Sequence, residues 1–390
     1  MYLLGAIYTM FLFVAIGAML VITLLSLFLS GEYFSKETAK RAQRKMIAVN
    51  IIIMIVFAAG SHLALSNEYA GMLIGLAVMW YMLQILLALS GILVKLFRTI
   101  YEKSSGKPID PSRRRFLRGL IWVPAISGAL YGGLYERRHI EFTQVDIDAS
   151  SAPKLNGMKI AQLTDVHLGN FFSTSQLQAV LTQIVQKSPD MLVLTGDIFD
   201  SQGINDEAIK VIDSFTGYFP FGTYMCWGNH EHIRGIEHLR EALSNTNIKV
   251  LNNASVKILS GDRPFYLLGV DYVGGVDDNE DSKTKELRRS YLEEAMAHVP
   301  DNAYKILLAH HPIFFDEAFS HHIELTLSGH THGGQFGILG HPIFSMFKYM
   351  RGRFEQDGCI GYVSRGAGSW FPYRIGCPPE ITVFNFTAKG

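Results

Sequence analysis

Three apolar runs follow one another at the start of this chain: Leu3 to Leu29, Met46 to Leu65 and Met72 to Val94. A helix needs ~20 apolar residues to cross the hydrocarbon core of a bilayer. Three such runs in succession are too many for the core of one soluble domain. A fourth run, Gly119 to Leu134, is shorter and is interrupted by Pro124 and several glycines. The positive mean hydropathy of the chain comes from this first third. Residues 1–134 therefore read as a transmembrane region of three to four helices, and the remaining two-thirds must fold beside a membrane.

Loop charge predicts orientation, because cationic loops stay cytoplasmic. The loop after the first run holds Lys36, Lys40, Arg41, Arg44 and Lys45, and the loop around Asn67 to Ala70 holds no Lys or Arg. The third loop holds Lys95, Arg98, Lys103 and Lys107, then Arg113, Arg114, Arg115 and Arg118. The expectation is an integral protein of the cell (inner) membrane with its amino terminus outward. If Gly119 to Leu134 crosses, the carboxyl-terminal domain is extracytoplasmic. Ser112-Arg113-Arg114-Arg115-Phe116-Leu117-Arg118 resembles a twin-arginine export signal, with Arg118 in the usual Lys place. The same residues read equally as a plain cationic anchor. A formal net charge of zero argues against a nucleic-acid partner. Cys226, Cys359 and Cys377 are too few for a disulfide framework or a thiolate zinc site, and leave a Cys359–Cys377 pair open.

Residues 135–157 read as a juxtamembrane link with an edge strand at Glu141 to Ile147. From Met158 to the end, at 390, short apolar runs alternate with amphipathic stretches. Ser175 to Lys187, Asp206 to Phe215, Ile236 to Ser244 and Ser282 to Ala297 are helix-like. Strands are expected at 158–163, 191–194, 223–227, 248–251, 256–259, 265–270, 304–309, 325–328, 362–363 and 380–386. Alternation of this kind predicts an α/β layer fold.

Five of the strands stop at possible metal ligands: Asp165 and His167, Asp197, Asn229, His310, then His330 and His332. Ligands in α/β sheets bind beyond the carboxyl ends of strands. Seven oxygen and nitrogen donors without thiolate suit Mn, Fe, Zn or Co, and are too many for one tetrahedral ion. Taken singly, Asp165 and Asp197 read as turn residues, Asn229 as a loop clasp and His310 as a core histidine. Taken together they read as a pair of ions sharing one aspartate, an arrangement suited to clamping the oxygens of a phosphoryl group. His139, His232, His238, His298, His321, His322 and His341 fit no such strand end and read as structural or surface groups; His62 lies in a transmembrane run.

Asp165-x-His167, Gly196-Asp197, Gly228-Asn229-His230-Glu231, His310-x-Pro312 and Gly329-His330-x-His332 resemble, in order, the five blocks of the calcineurin-like metallophosphoesterases. The preceding spans resemble a membrane-anchored bacterial branch of that family. The resemblance implies a four-layer α/β/β/α sandwich over residues 158–390. It implies that Asp165, His167 and His332 bind one ion, that Asn229, His310 and His330 bind a second, and that Asp197 bridges them. The cofactors implied are two divalent metal ions (Mn, Fe or Zn, with Mn favoured), and a hydroxide bridging them is the attacking group. His230 is implied to stabilise the phosphoryl oxygen or protonate the leaving group. Glu231, where many relatives have Asp, is implied to orient or charge-support His230. Gly196, Gly228 and Gly329 suit tight turns near the ions.

Specificity is expected from Phe171-Phe172, Gly274 to Asp281, and the aromatic and basic stretch Phe336 to Arg353, which reads as an amphipathic lip able to lie on membrane lipids. The expected reaction is metal-dependent hydrolysis of a phosphoester or pyrophosphate, on a lipid-linked or cell-envelope substrate. Two other readings accompany it. One is a cytoplasm-facing UDP-2,3-diacylglucosamine pyrophosphatase of lipid A biosynthesis. The other is a non-catalytic membrane sensor or scaffold.

Overall fold

The computed structural model describes residues 2–62, 68–273 and 282–388 of the chain. They form two compact units, residues 1–135 and 136–390. The expected specificity stretch Gly274 to Asp281 lies outside the described residues, as do the end of the second apolar run and the start of the loop after it.

The first unit is helical: α1 (Tyr2–Tyr33), α2 (Lys36–His62), α3 (Glu68–Ser105) and α4 (Pro111–Leu130), the last running into a π-helical turn at Tyr131–Tyr135. Two stretches among the described residues, Phe13–Tyr33 in α1 and Gly71–Ser105 in α3, are long and apolar enough to cross a membrane. α2 spends its first turns on Lys40, Arg41, Arg44 and Lys45, and α4 opens with the cationic stretch, capped by Asp110, whose carboxylate accepts the Ser112 and Arg113 amides at 2.8 and 3.1 Å. Inside the bundle lies a polar clasp that hydropathy alone does not announce. Asn50, fully buried, donates to Thr23 Oγ1 (2.8 Å) and Gln84 Oε1 (3.0 Å), and accepts from Trp80 Nε1 (2.5 Å). Buried amides are retained only where they are paired; this group satisfies itself and ties α1, α2 and α3 together. Arg98 reaches Glu32 through two bonds, at 2.9 and 3.1 Å.

The second unit begins at Glu136. Its first sheet takes β1 (Glu141–Asp148), β2 (Lys159–Leu163), β3 (Met191–Thr195), β4 (Thr223–Cys226) and β5 (Ile248–Val250). The second takes β6 (Ala254–Leu259), β7 (Phe265–Gly269), β8 (Tyr304–Leu308) and β9 (Leu325–Ser328). After a small hairpin, β10 (Gly337–Ile338) and β11 (His341–Pro342), come β12 (Gly352–Gln356) and β13 (Cys359–Val363); β14 (Glu380–Thr387) returns to the first sheet. The orders are β1-β14-β2-β3-β4-β5 and β12-β13-β9-β8-β7-β6. β2 through β5 run parallel, as do β7, β8 and β9. β1 is an edge strand, paired in parallel with β14 from Glu141↔Glu380 to Asp148↔Thr387.

The helices are α5 (Thr174–Gln186), α6 (Gln202–Phe215), α7 (Asn229–Arg234), α8 (Ile236–Ser244), α9 (Ser282–Met296) and α10 (Phe315–Ser320). Ser173 and Gln176 form a capping box that fixes the start of α5. α6 begins four residues before the expected Asp206 (202 against 206), because Ile204 joins Ala208, Ile209 and Ile212 on one apolar face.

Three cores define the layers. Leu163, Leu192, Leu194 and Met225 pack outward against α5, α6 and α8. Ile160, Met191, Val193 and Tyr224 of the first sheet meet Leu267, Ile306, Leu308 and Leu327 of the second. Leu268 and Leu307 pack outward against Leu292, Ala295 and Ala318 of α9 and α10. The alternation along each strand follows from side chains pointing to opposite faces. The result is a four-layer α/β/β/α sandwich. Cys226, Cys359 and Cys377 are all buried free thiols, so Cys359 and Cys377 do not form a disulfide.

Candidate metal centre

The parallel strands β2, β3 and β4 of one sheet and β8 and β9 of the other end at the same rim. Asp165 and His167 follow β2, Asp197 follows β3, Asn229 follows β4, His310 follows β8, and His330 and His332 follow β9. All seven predicted ligands are brought together. Asp165, His167 and His332 form one candidate group, and Asp197, His310 and His330 another. His332 Nε2 lies 3.5 Å from Asp165 Oδ1 and 2.9 Å from His167 Nε2. Asp197 Oδ2 stands between the groups, 3.7 Å from His167 Nε2 and 3.2 Å from His310 Nε2. Asn229 Oδ1 lies 3.2 Å from His310 Nε2 and 3.0 Å from His330 Nδ1.

Backbone conformation explains how neighbouring residues can aim inward. Asp165, His167, Asp197, His330 and His332 all have positive φ, between 50° and 71°. Such conformations are costly for residues with a Cβ and gather at functional sites. The glycines do a different task. A Cβ on Gly228 would sit 2.2 Å from Asp197 Oδ1, and one on Gly329 would sit 2.0 Å from Asp165 Oδ2. Only a residue without a side chain lets these loops pass so close to the carboxylates.

The donor set suits divalent cations. Burial and the nearby His310 push the His330 imidazole down to about 3, and burial with His167 and Arg374 pushes His332 well below its ordinary range, so both rings are neutral and able to ligate. Burial opposes the charge on Asp197, yet His310, His230 and His167 outweigh it and hold this carboxylate well below the usual range. His310 donates from Nδ1 to the Thr195 carbonyl at 2.8 Å, which leaves Nε2 facing Asp197. A positive ion is the natural companion of two buried carboxylates and four imidazoles.

His230 Nε2 lies 4.0 Å from Asp197 Oδ2, and His230 forms a third candidate group with His167 and Asp197. Its backbone N–H donates to Asp197 Oδ1 at 2.9 Å. The group that orients its ring is Asp200, whose Oδ1 takes the Nδ1 proton at 2.8 Å. Asp200 also accepts from Arg234 Nε at 2.8 Å and lies 3.4 Å from His167 Nδ1. Asp200 and Asp197 raise the His230 pKa against the effect of burial.

Glu231 does not orient the His230 ring through a hydrogen bond, although its charge is among those that raise the His230 pKa. Its fully buried carboxylate accepts four backbone amides and makes no hydrogen bond to His230. Oε1 takes Ile198 (2.7 Å) and Phe199 (3.0 Å); Oε2 takes Asp197 (2.9 Å) and Gly228 (2.8 Å). Its reach as the longer acid lets it clasp the loops after β3 and β4, while Asp200 supports the His230 ring.

Sequence reading missed Asp200, although its spacing three residues beyond Asp197 was visible. It also missed Arg374, which is fully buried. Arg374 Nη2 donates to the carbonyls of Arg365 (2.8 Å) and Gly368 (2.6 Å) and lies 3.1 Å from His332 Nδ1. Tyr272 forms a wall, its ring 6.2 Å from His310 and 6.0 Å from His330. His311, next to His310, uses Nδ1 to accept the Ile313 amide at 3.1 Å. His232, read as structural, pairs with Asp271 at 2.7 Å beside Tyr272. Phe171 and Phe172 help line a pocket of about 170 Å³ with Arg137, Arg138 and Gly368.

Residues 158–334 match the calcineurin-like phosphoesterase family. The chain is 30% identical over 291 residues to the metallophosphoesterase YkuE of Bacillus subtilis, covering 70% of this chain and 97% of that one. It is 29% identical over 297 residues to the phosphodiesterase YaeI of Escherichia coli, covering 70% and 98%. It is 29% identical over 264 residues to a transmembrane protein with metallophosphoesterase domain from Danio rerio, covering 65% of this chain and 59% of that one. With two carboxylates, four histidines and an asparagine meeting inside the stretch matched by the family, the chain belongs to the calcineurin-like metallophosphoesterases and is a phosphoester hydrolase.

Proposed function

We propose that this chain is a membrane-anchored phosphoesterase that hydrolyses a phosphoester or pyrophosphate bond of a lipid-linked or cell-envelope substrate, with its catalytic domain outside the cytoplasm. The observation that carries the reading is the convergence of Asp165, His167 and His332 with Asn229, His310 and His330 about Asp197. Two divalent ions, with manganese favoured, would be held by these residues. Such ions lower the pKa of a coordinated water and neutralise charge developing on phosphoryl oxygens.

The protein's own residues supply the rest. His230 has its Nδ1 proton committed to Asp200, so Nε2 is the end that faces the reacting group. The adjacent carboxylates favour the imidazolium, the form able to pass a proton to a leaving oxygen. Glu231 and the three glycines hold the loops that place Asp197, Asn229 and His230. Two helices able to cross a membrane support the anchoring, as do relatives named as transmembrane proteins with this domain. The loop charges support the outward placement of the domain.

The test has two arms. Purified full-length protein with Mn should hydrolyse bis-p-nitrophenyl phosphate or p-nitrophenyl phosphate, lose that activity on chelation, and lose it in Asp197→Asn. Unchanged turnover in Asp197→Asn defeats the shared-aspartate reading. A reporter fused after Glu136 should be active outside the cytoplasm; activity only inside would overturn the placement.

A further inference from the structure

We infer that the hairpin at 336–347 is a membrane-docking lip that enters the lipid interface and brings the metal centre to the level of the headgroup phosphates. The inference rests on the anchoring part of the proposed function and is independent of the reaction.

Single exposed apolar residues are normal on protein surfaces, but a contiguous group of large ones marks an interaction site. β10 and β11 pair through only two registers, Gly337↔Pro342 and Ile338↔His341. Leu339, at the tip, has positive φ and is 93% exposed. Ile338, Ile343, Phe344 and Met346 are exposed on the same hairpin, and Trp370 is exposed on the loop that Gln335 grips. Gln335 Nε2 donates to the carbonyls of Phe371 (2.7 Å) and Tyr373 (2.8 Å), so the two loops move as one. No Asp or Glu occurs between residues 336 and 353, whereas Lys348, Arg351 and Arg353 do. Lys348 and Arg353 are balanced by Asp316 and Glu355, and the projecting part, 336–347, carries no Lys, Arg, Asp or Glu. Aromatic and aliphatic side chains without carboxylates suit the boundary between headgroups and acyl chains.

Position argues for lipid as the occupant. The Gly337 amide donates to the Ile375 carbonyl at 2.7 Å. Here the two strands touch backbone to backbone: a Cβ on Gly376 would lie 2.1 Å from the Gly337 oxygen. The next amides, of Gly376 and Cys377, both donate to the Glu136 carboxylate at 3.0 Å. Glu136 is the first residue of this unit, where the chain arrives from the helices, and its side chain is buried. The apolar hairpin is thus fastened to the loop that grips the point of attachment. At its other end the hairpin reaches the chemistry. The Phe347 ring lies 5.3 Å from that of His330 and 5.4 Å from that of His311. A lip seated in lipid therefore sets a metal ligand's flank against the interface.

The experiment uses the full chain in nanodiscs of phosphatidylethanolamine and phosphatidylglycerol. Leu339→Cys is labelled with a bimane probe; the native cysteines are buried, and the unsubstituted chain gives the labelling background. Quenching is read from doxyl groups on the acyl chains and from iodide in solution. The expected result is at least a twofold loss of fluorescence with doxyl lipid and protection from iodide. Quenching by iodide alone overturns the inference, because the lip would then be in water. Quenching by neither also overturns it, because the lip would be covered by a second copy or another protein. Adding Phe344→Asp and Met346→Asp should abolish the doxyl effect; a doxyl effect that persists in this variant would overturn the inference. The fluorescence needs no turnover, so an inactive preparation leaves the docking result readable, and an active one with an unquenched probe sinks docking alone.

Discussion

Replacing Glu231 with Gln separates a loop clasp from a catalytic partner. Each carboxylate oxygen accepts two amides: Ile198 and Phe199 on one, Asp197 and Gly228 on the other. A glutamine turns one oxygen into an NH2 donor, so two of the four amides then face a donor whichever way it lies. A hydrogen bond to a charged acceptor contributes ~1.5–3 kcal/mol, so losing two removes ~3–6 kcal/mol. For a domain of this size ~1 kcal/mol moves the unfolding midpoint by ~2–4 °C, which makes the expected drop ~6–24 °C. Differential scanning calorimetry of the detergent-solubilised full chain reads it. Turnover should fall as well, because Asp197 and Asn229 sit on the loops released. A midpoint within ~2 °C of the unsubstituted protein, with turnover lost, would refute the clasp and return Glu231 to a role beside His230.

Three further outcomes are expected. Asp200→Asn should lower kcat by ~10²-fold or more with metal content retained, since it removes the charge that supports the His230 imidazolium; a kcat within twofold would exclude that support. Gly329→Ala must place a methyl 2.0 Å from Asp165 Oδ2 and 2.3 Å from Thr164 Oγ1, so bound metal measured by mass spectrometry should fall below half; full occupancy would show that the loop yields. Glu380 is held below its ordinary range by Arg365 and Tyr362 against the effect of burial, so its contribution is present above the unfolded value of ~4.3 and is lost as pH falls through the folded one. Glu380→Gln should therefore destabilise the protein at neutral pH and flatten the acid limb of its stability profile. Parallel profiles for the two proteins would contradict this.

The ligands were legible because chemistry and position repeat: each ended an apolar run, and strand ends in such sheets converge. Alternation of apolar runs and amphipathic stretches made an α/β layer fold legible, down to the edge strand at Glu141, and the four-layer sandwich came from the family resemblance. What escaped notice depends on the folded path. Asp200, on the loop after β3, meets His230 and Arg234 of α7 from 30 and 34 positions away. The role of Glu231 was implied by the family resemblance, whereas partners such as the Asp197 amide lie 34 positions away. Arg374 had no strand or helix to announce it; its burial is created by six carbonyl, hydroxyl and ring acceptors drawn from 332 to 377. Asn50 lies within an apolar run, and its partners Thr23 and Gln84 come from two other helices.

The double grip of Glu136 on Gly376 and Cys377 bears on where this protein can be cut. A soluble version begun at Met158, where the family match starts, would discard that carboxylate and the whole of β1, exposing β14 as a new sheet edge. The loop it frees leads straight to Arg374 and from there to His332. Shortened forms that keep Glu136 should retain metal, and one begun at Met158 should lose bound metal and aggregate along β14.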